Sequence, residues 1–322
     1  MKKFIVLVAA VCMAYTATFA QTVKPFKEGE RAVFLGNSIT DGGHYHSYIW
    51  LYYMTRFPNM PIRIFNGGIG GDTAFDMNKR LDADIFAMQP SVLMVTFGMN
   101  DSGYFEYNGD KAKEFGEEKY QESIKNYQQM EKRFKELPKT RIVMLGTSPY
   151  DETVQLKEGN LFKTKNETIK RIVEYQKESA AKNGWEFSDL NAPMVALNQQ
   201  FQQKDPAFTL CGSDRIHPDN DGHMVMAYLF LKAQGFVGKD VANMEINANK
   251  KEAVKAENCT VSNIKKIGNE LSFDYLAEAL PYPLDTIARG WGQKKSQAEV
   301  TKVVPFMEDM NREMLKVSGL KG

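Results

Sequence analysis

The clearest structural signal in this chain is the stretch Ala32-Val33-Phe34-Leu35-Gly36-Asn37-Ser38. Its first four residues are apolar without alternation, which is typical of a strand buried on both faces of a sheet. Gly36 then permits a tight turn, so that Ser38 projects from the end of the strand. In parallel sheets, ligand sites gather at the carboxyl ends of the strands, and Ser38 therefore lies where a site is expected.

Four similar strands follow, separated by segments with helical spacing. The predicted strands span residues 32–35, 62–65, 92–97, 141–145 and 185–190. The predicted helices span residues 48–56, 73–88, 111–137, 167–183 and 222–234. This alternation predicts an α/β fold of three layers, in which helices cover both faces of a five-stranded parallel sheet.

The pattern changes at about residue 241. Residues 247–257 are polar and rich in lysine, as in a connector, whereas residues 259–267 and 271–275 flank Gly268-Asn269, which predicts a hairpin. Residues 299–315 have the spacing of an amphipathic helix. We therefore expect a main domain over residues 21–240 and a small α+β region over residues 241–322.

The first twenty residues resemble an export signal. Lys2 and Lys3 precede an apolar core, and Thr18-Phe19-Ala20 is a plausible cleavage site. The apolar core is short for a transmembrane helix, although a retained N-terminal anchor is the alternative. We expect the protein to be exported, either to a periplasm or out of the cell, without stable membrane insertion once the signal is removed.

Composition limits the classes of partner. The 322 residues are 43% hydrophobic and 25% charged, with a net charge of +1, so electrostatics do not indicate a nucleic-acid partner. Cys211 and Cys259 remain after the signal, and the sequence leaves open whether they form a disulfide. It also leaves the oligomeric state open.

Three residues supply the parts of a nucleophilic hydrolase. Ser38 is followed far downstream by Asp214-Arg215-Ile216-His217. A spacing of three lets the Asp214 carboxylate reach the His217 imidazole, which can then remove the proton from the Ser38 hydroxyl. Gly-x-Ser alone is common in loops. The prediction of a nucleophilic hydrolase therefore rests on Ser38, Asp214 and His217 together.

Two further segments supply hydrogen-bond donors. Residues 66–73 contain four glycines in five positions, and the Gly71 N–H can face a developing oxyanion. The alternative, a phosphate-binding loop, lacks the required glycine and lysine spacing. Asn100 follows the third strand and can donate its amide to the same oxyanion, or can simply form a turn.

With Ser38, Gly71, Asn100, Asp214 and His217 in this order, residues 32–234 resemble the SGNH (GDSL-type) serine hydrolase family. The resemblance implies a flavodoxin-like sheet, a Ser38–His217–Asp214 triad and an oxyanion hole formed by the Ser38 N–H, Gly71 and Asn100. Asn37 stands where the family usually has aspartate, and we expect this to alter only local hydrogen bonding. Thr40 replaces the second glycine of Gly-x-Ser-x-Gly, which argues against an α/β-hydrolase nucleophile elbow.

Other polar and aromatic residues are candidates for binding roles. His46, Tyr104 and Tyr107 are predicted to contact substrate, although packing between loops is an equal alternative for the tyrosines. His44 and His46 lack the further ligands of a metal site, so we expect neither a metal nor another cofactor. Ser148 is a rival nucleophile without a suitable base, and His223 is expected to be structural.

We expect an exported carboxylic-ester hydrolase that forms an acyl-serine intermediate. Its expected substrate is a small acyl ester, such as an O-acetyl group on a carbohydrate or polysaccharide. That expectation rests on export and on the resemblance to the family, because one fold hosts many substrates. The alternatives are a lysophospholipase or thioesterase for longer acyl chains, and a non-catalytic glycan-binding module.

Overall fold

The computed structural model describes residues 22–157, 159–288 and 294–321. Five parallel strands form the central sheet in the order β2-β1-β3-β4-β5, which confirms the predicted fold. The strands are β1 (Arg31–Gly36), β2 (Arg63–Gly68), β3 (Val92–Val95), β4 (Arg141–Gly146) and β5 (Glu186–Asp189). The predicted signal at residues 1–20 lies outside the described residues.

Helices cover both faces of this sheet. They are α1 (Ser38–Asp41), α2 (Tyr45–Arg56), α3 (Ala74–Arg80), α4 (Ala112–Lys135), α5 (Lys165–Asn183), α6 (Asn191–Gln202) and α7 (Asn220–Ala233). Phe34 and Met94 pack with α2 and α7, whereas Val33 and Leu93 pack on the opposite face with α3 and α4. Alternate residues of each strand therefore enter two separate cores, which is why the strands are apolar throughout.

Two helical segments differ from the prediction. The single helix expected over residues 73–88 ends as α3 at Arg80 and continues as a π turn (Leu81–Ile85) and a 3₁₀ turn (Phe86–Met88). Helix α6 was not predicted. Its first turn is stabilised by Asp189, whose Oδ1 accepts from the N–H of Asn191 at 2.8 Å.

The C-terminal region contains the predicted hairpin, but its neighbours are strands. Strands β8 (Cys259–Ile267) and β9 (Glu270–Ala277) form the hairpin. The expected connector is wrong, because β6 (Ala242–Asn247) and β7 (Glu252–Glu257) pair antiparallel there. The predicted helix over residues 299–315 is also wrong. Pro305 separates a 3₁₀ turn (Gln297–Lys302) from helix α8 (Phe306–Met310), and strand β10 (Glu313–Ser318) follows.

The C-terminal region (residues 241–288 and 294–321), called the tail here, contacts the main domain closely. Tyr282, Val300 and Phe306 are buried in the same core as α2 and α7. The Arg56 guanidinium donates to the carbonyls of Lys239 and Asp240 on the way into this region. The tail therefore contributes to the core that covers one face of the sheet. The domain boundary at residue 240 remains a prediction.

Cys211 and Cys259 are both buried free thiols, so they do not form a disulfide in this structure. In the part of the chain that is described, no helix has the length and apolar character needed to cross a membrane.

Candidate active site

Ser38 begins α1 directly after the central strand β1. Asn37 caps this helix, because its side-chain oxygen accepts from the Ile39 N–H at 3.1 Å. Helix α1 lies directly against β2: a Cβ atom at Gly68 would be only 2.3 Å from the Asp41 backbone nitrogen. The close approach at Gly68 therefore sets the position of α1, and with it the position of Ser38.

The loop before α7 brings His217 to Ser38. The Ser38 Oγ lies 2.8 Å from His217 Nε2, across a separation of 179 residues in the chain. His217 Nδ1 lies 2.6 Å from Asp214 Oδ2. The three side chains that the sequence predicted as a triad therefore form one continuous hydrogen-bonded series.

Asp214 has several donors for a single carboxylate. Its Oδ1 accepts from the N–H groups of Ile216 and His217, both at 2.9 Å. Burial alone raises the pKa of this carboxyl, but the hydrogen bonds from the His217 side chain and from these N–H groups outweigh it and hold the pKa below its ordinary value. Asp214 is therefore ionised at neutral pH and can stabilise a protonated imidazole.

Arg215 anchors this loop from within the protein. It has a φ of +68°, a conformation that non-glycine residues rarely adopt, and its side chain is buried. Its guanidinium donates to the carbonyls of Asp151 and Val154, at 3.1 and 2.7 Å, and its own carbonyl accepts from the Asp151 N–H. These contacts hold a strained backbone between Asp214 and His217.

Gly71 and Asn100 lie in the loops after β2 and β3, the two strands that flank β1. Asn100 Nδ2 donates to the carbonyl of Asp72 at 2.9 Å, which ties the two loops together. Gly71 has a φ of +84°, in the region that favours glycine. The buried Asp101 adds a second tie, because it accepts from the N–H groups of Ala74 and Gly98.

Ser38 opens onto a cavity of about 310 Å³. His44 and His223 line it with their rings 4.9 Å apart, and burial lowers the pKa of both, so that both are neutral at pH 7. Of the described residues, Gly71 and Asn100 are not among those that line this cavity, whereas Gly70 is. The described residues that line the cavity are Ser38, Ile39, Asp41, Gly42, His44, Gly70, His217, Pro218, Asn220 and His223.

The structure corrects two of the predicted substrate contacts. His46 is only 4% exposed and packs against Phe34, with its Nε2 3.2 Å from the Thr40 carbonyl, so it belongs to the core. Tyr107 is also 4% exposed; its hydroxyl donates to the Ser102 carbonyl and lies 2.9 Å from Thr168 Oγ1. Both side chains are enclosed by packing and cannot meet a ligand in the cavity.

Tyr104 is half-buried and its hydroxyl donates to Asn100 Oδ1 at 2.5 Å. The neighbouring Phe105 is 67% exposed and is the aromatic residue of this loop that faces solvent. His223 was expected to be structural, but it lines the cavity; a histidine at the start of a helix carries no signal of what it faces. Ser148, the rival nucleophile, is fully buried.

No group of three or more metal-ligating side chains occurs among residues 22–157, 159–288 and 294–321.

Residues 34–225 match the GDSL-like lipase/acylhydrolase family, and the chain belongs to this family. It is a serine hydrolase of carboxylic esters. An acetylxylan esterase from Geobacillus stearothermophilus is 27% identical over 224 residues, which are 65% of this chain and 95% of that protein.

Solved structures similar to this chain include the following two. One, described as a gut microbial diltiazem-metabolizing enzyme, has a TM-score of 0.91 and 84% identity, covering 94% of this chain and 68% of that one. A crystal structure of the Geobacillus stearothermophilus acetylxylan esterase has a TM-score of 0.50 and 24% identity, covering 65% of this chain and 96% of that one. The second likeness concerns the fold.

Proposed function

We propose that this protein removes acetyl groups from carbohydrate esters through an acyl-serine intermediate, with Ser38 as nucleophile. The observation that carries the proposal is the hydrogen-bonded series from Ser38 Oγ to His217 and on to Asp214. A serine hydroxyl needs a base within hydrogen-bond distance, and His217 Nε2 is at 2.8 Å.

The first half of the reaction forms the acyl-enzyme. His217 Nε2 takes the proton as Ser38 Oγ attacks the ester carbonyl, and Asp214 stabilises the imidazolium that results. The N–H groups of Ser38 and Gly71 and the Asn100 amide donate to the oxyanion of the tetrahedral intermediate. Collapse breaks the bond to the alcohol, which leaves with the proton from His217.

The second half hydrolyses the acyl-enzyme. Water attacks the Ser38 ester while His217 Nε2 takes its proton, and the same donors stabilise the second oxyanion. His217 then returns the proton to Ser38 Oγ, and acetate leaves. Every proton in both halves moves through one imidazole, which Asp214 holds in place.

The cavity next to Ser38 has room for a small acyl group. Its volume is about 310 Å³, and its lining includes three histidines and Asp41. Exposed apolar side chains follow the neighbouring strands: Ile69 is 43% exposed, Phe75 50% and Phe105 67%. Such side chains can stack on or cover the rings of the alcohol part of a substrate.

One relative, an acetylxylan esterase, is named for an acetyl-ester substrate, and the other is described as a diltiazem-metabolizing enzyme. We also propose export directed by residues 1–20. Sequencing of the secreted protein is expected to begin at Gln21, and an intact N-terminus on exported protein would contradict it.

The test is acetate release from acetylated xylan and from p-nitrophenyl acetate, with Ser38→Ala as the control. Wild type is expected to release acetate from both, and the variant from neither. A series of p-nitrophenyl esters from acetate to palmitate adds the chain-length preference. Equal release by wild type and Ser38→Ala would refute the catalytic proposal, and a preference for long chains would indicate a lipase or thioesterase instead.

A further inference from the structure

We propose that Tyr104 is a positioning residue, which orients the Asn100 amide so that its nitrogen faces the oxyanion. This inference rests on the proposed function and deepens it. Neither the sequence of the motif nor the triad indicates how the amide is oriented, because the two ends of an asparagine side chain are nearly the same size.

Two hydrogen bonds of opposite polarity determine the orientation. The Tyr104 hydroxyl donates to Asn100 Oδ1 at 2.5 Å, and Asn100 Nδ2 donates to the Asp72 carbonyl at 2.9 Å. If the amide turned over, Oδ1 would face the Asp72 carbonyl oxygen with no proton between them. The Asp72 carbonyl therefore disfavours the flipped amide. The Tyr104 hydroxyl stabilises the orientation in which Asn100 Oδ1 faces it.

The right orientation leaves one hydrogen for catalysis. An amide nitrogen carries two hydrogens, and among the described residues Asp72 alone accepts from Asn100 Nδ2. The second hydrogen therefore has no acceptor among the described residues, and in this proposal it donates to the substrate oxygen. Burial raises the pKa of Tyr104 well above its ordinary value, which keeps the hydroxyl protonated and able to donate.

Lys165 holds Tyr104 in place. Its Nζ lies 3.9 Å from the centre of the Tyr104 ring and donates to the carbonyls of Met99 and Gly103 and to the Ser102 hydroxyl, at 2.7, 2.5 and 2.6 Å. The Lys165 side chain is fully buried. It therefore fixes the backbone on both sides of Asn100 and one face of the Tyr104 ring together.

This arrangement distinguishes positioning from substrate binding. The Tyr104 hydroxyl is already committed to Asn100, and the edge of the ring packs against Phe162 with centroids 5.8 Å apart. A positioning role predicts that loss of the hydroxyl affects the transition state more than the bound substrate. A binding role predicts that it affects the Michaelis constant.

The experiment uses Tyr104→Phe, Asn100→Ala and the double variant, with p-nitrophenyl acetate as substrate. Asn100→Ala is expected to lower kcat by about 10²–10³-fold, as for loss of one oxyanion donor. Tyr104→Phe is expected to lower kcat by about tenfold or more with KM within about twofold of wild type. The double variant is expected to match Asn100→Ala, because the hydroxyl acts only through that amide.

The matched control is Tyr107→Phe. It removes a hydroxyl that donates to Ser102 in the same loop but does not contact Asn100. Its kcat is expected to equal that of wild type, and thermal melting of every variant confirms folding at the assay temperature. Affinity for an alkylboronic acid, which forms a tetrahedral adduct with Ser38, is expected to fall in Tyr104→Phe in parallel with kcat.

Several results would overturn the inference. They are a raised KM with unchanged kcat in Tyr104→Phe, a further loss of kcat when Tyr104→Phe is added to Asn100→Ala, or an equal loss in Tyr107→Phe. A failure of the proposed function gives a different result. In that case Ser38→Ala would hydrolyse the ester as fast as wild type, or wild type would not hydrolyse it.

Discussion

The carboxylate of Asp214 accepts from His217 twice, from the imidazole Nδ1 at 2.6 Å and from the backbone N–H at 2.9 Å. The contact from the backbone N–H closes a short turn between the two residues. The Asp214 carboxylate therefore both positions the backbone of His217 and orients its imidazole. A third donor, the Ile216 N–H, shares Oδ1 at 2.9 Å. The spacing of three residues therefore lets one carboxylate make all three contacts.

We expect Asp214→Asn to lower kcat by roughly 10⁴-fold. All three hydrogen bonds require an acceptor, and asparagine offers one oxygen where the carboxylate offers two. Whichever way the new amide points, an N–H group would face either the imidazole Nδ1 or the backbone donors. Initial rates with p-nitrophenyl acetate measure the effect, and a kcat within tenfold of wild type in a folded variant would contradict it.

Substitution of Arg215 is expected to lower both stability and activity. Arg215→Ala removes the contacts to Asp151 and Val154 and places alanine at a φ of +68°. We expect kcat to fall on the order of 10²-fold as Asp214 and His217 shift. Arg215→Gly loses the same contacts without the backbone strain, so its free energy of unfolding should exceed that of Arg215→Ala by about 1 kcal/mol.

Urea unfolding of the two Arg215 variants separates these effects. Equal stabilities would show that the strain is relieved elsewhere in the loop. A wild-type kcat in either variant would show that the guanidinium contacts do not position the loop.

The central sheet could be predicted because its strands are buried on both faces. Continuous apolar runs such as residues 92–95 have few alternative structures, and the carboxyl ends of parallel strands meet at one edge. Ser38, Gly71 and Asn100 follow β1, β2 and β3 and could therefore be placed at the same edge from sequence alone. The distance from Ser38 to His217 could not, since His217 lies in the loop before α7 and the position of Ser38 depends on how α1 packs against β2.

The errors also have physical causes. Strand β7 is exposed along nearly its whole length, so it carries no apolar pattern to distinguish it from a connector. Helix α2 begins at Tyr45 rather than at residue 48, which turns His46 into the core and leaves His44 at the cavity. The amide orientation of Asn100 depends on Tyr104 and Asp72 through contacts that no spacing rule describes.

His46 is expected to make the protein less stable in mild acid. Burial is the main cause that lowers its pKa to about 4, with a smaller contribution from His44. The folded protein therefore keeps His46 neutral between about pH 6.5 and pH 4, whereas the unfolded chain takes up a proton as the pH falls below 6.5. The free energy of unfolding should decrease with falling pH in this range by about 1 kcal/mol per pH unit.

His46→Gln tests this contribution, because glutamine can still donate to the Thr40 carbonyl but does not titrate. We expect its unfolding free energy, measured in urea at pH 5, 6 and 7, to fall less steeply with acid than that of wild type. Parallel curves for the two proteins would mean that His46 does not contribute to the acid sensitivity.

Gly68→Ala is expected to lower kcat, although the substitution adds only one methyl group. The new methyl group would lie 2.3 Å from the Asp41 nitrogen and 2.8 Å from the Asp41 Cα, and these backbone atoms cannot move without moving α1. Because Ser38 is the first residue of α1, its Oγ would shift relative to His217 Nε2. We expect kcat to fall on the order of 10²-fold, the usual cost of misplacing a reacting group by about 1 Å.

Gly109→Ala is the matched control for Gly68→Ala. Its methyl group would meet no atom closer than the Glu106 carbonyl oxygen at 3.5 Å, an ordinary contact, and the glycine lies in the loop before α4. Its kcat and melting temperature should equal those of wild type. If Gly68→Ala also kept the wild-type kcat, α1 would have to tolerate displacement, and the close packing of α1 on β2 could not be what holds Ser38 within 2.8 Å of His217.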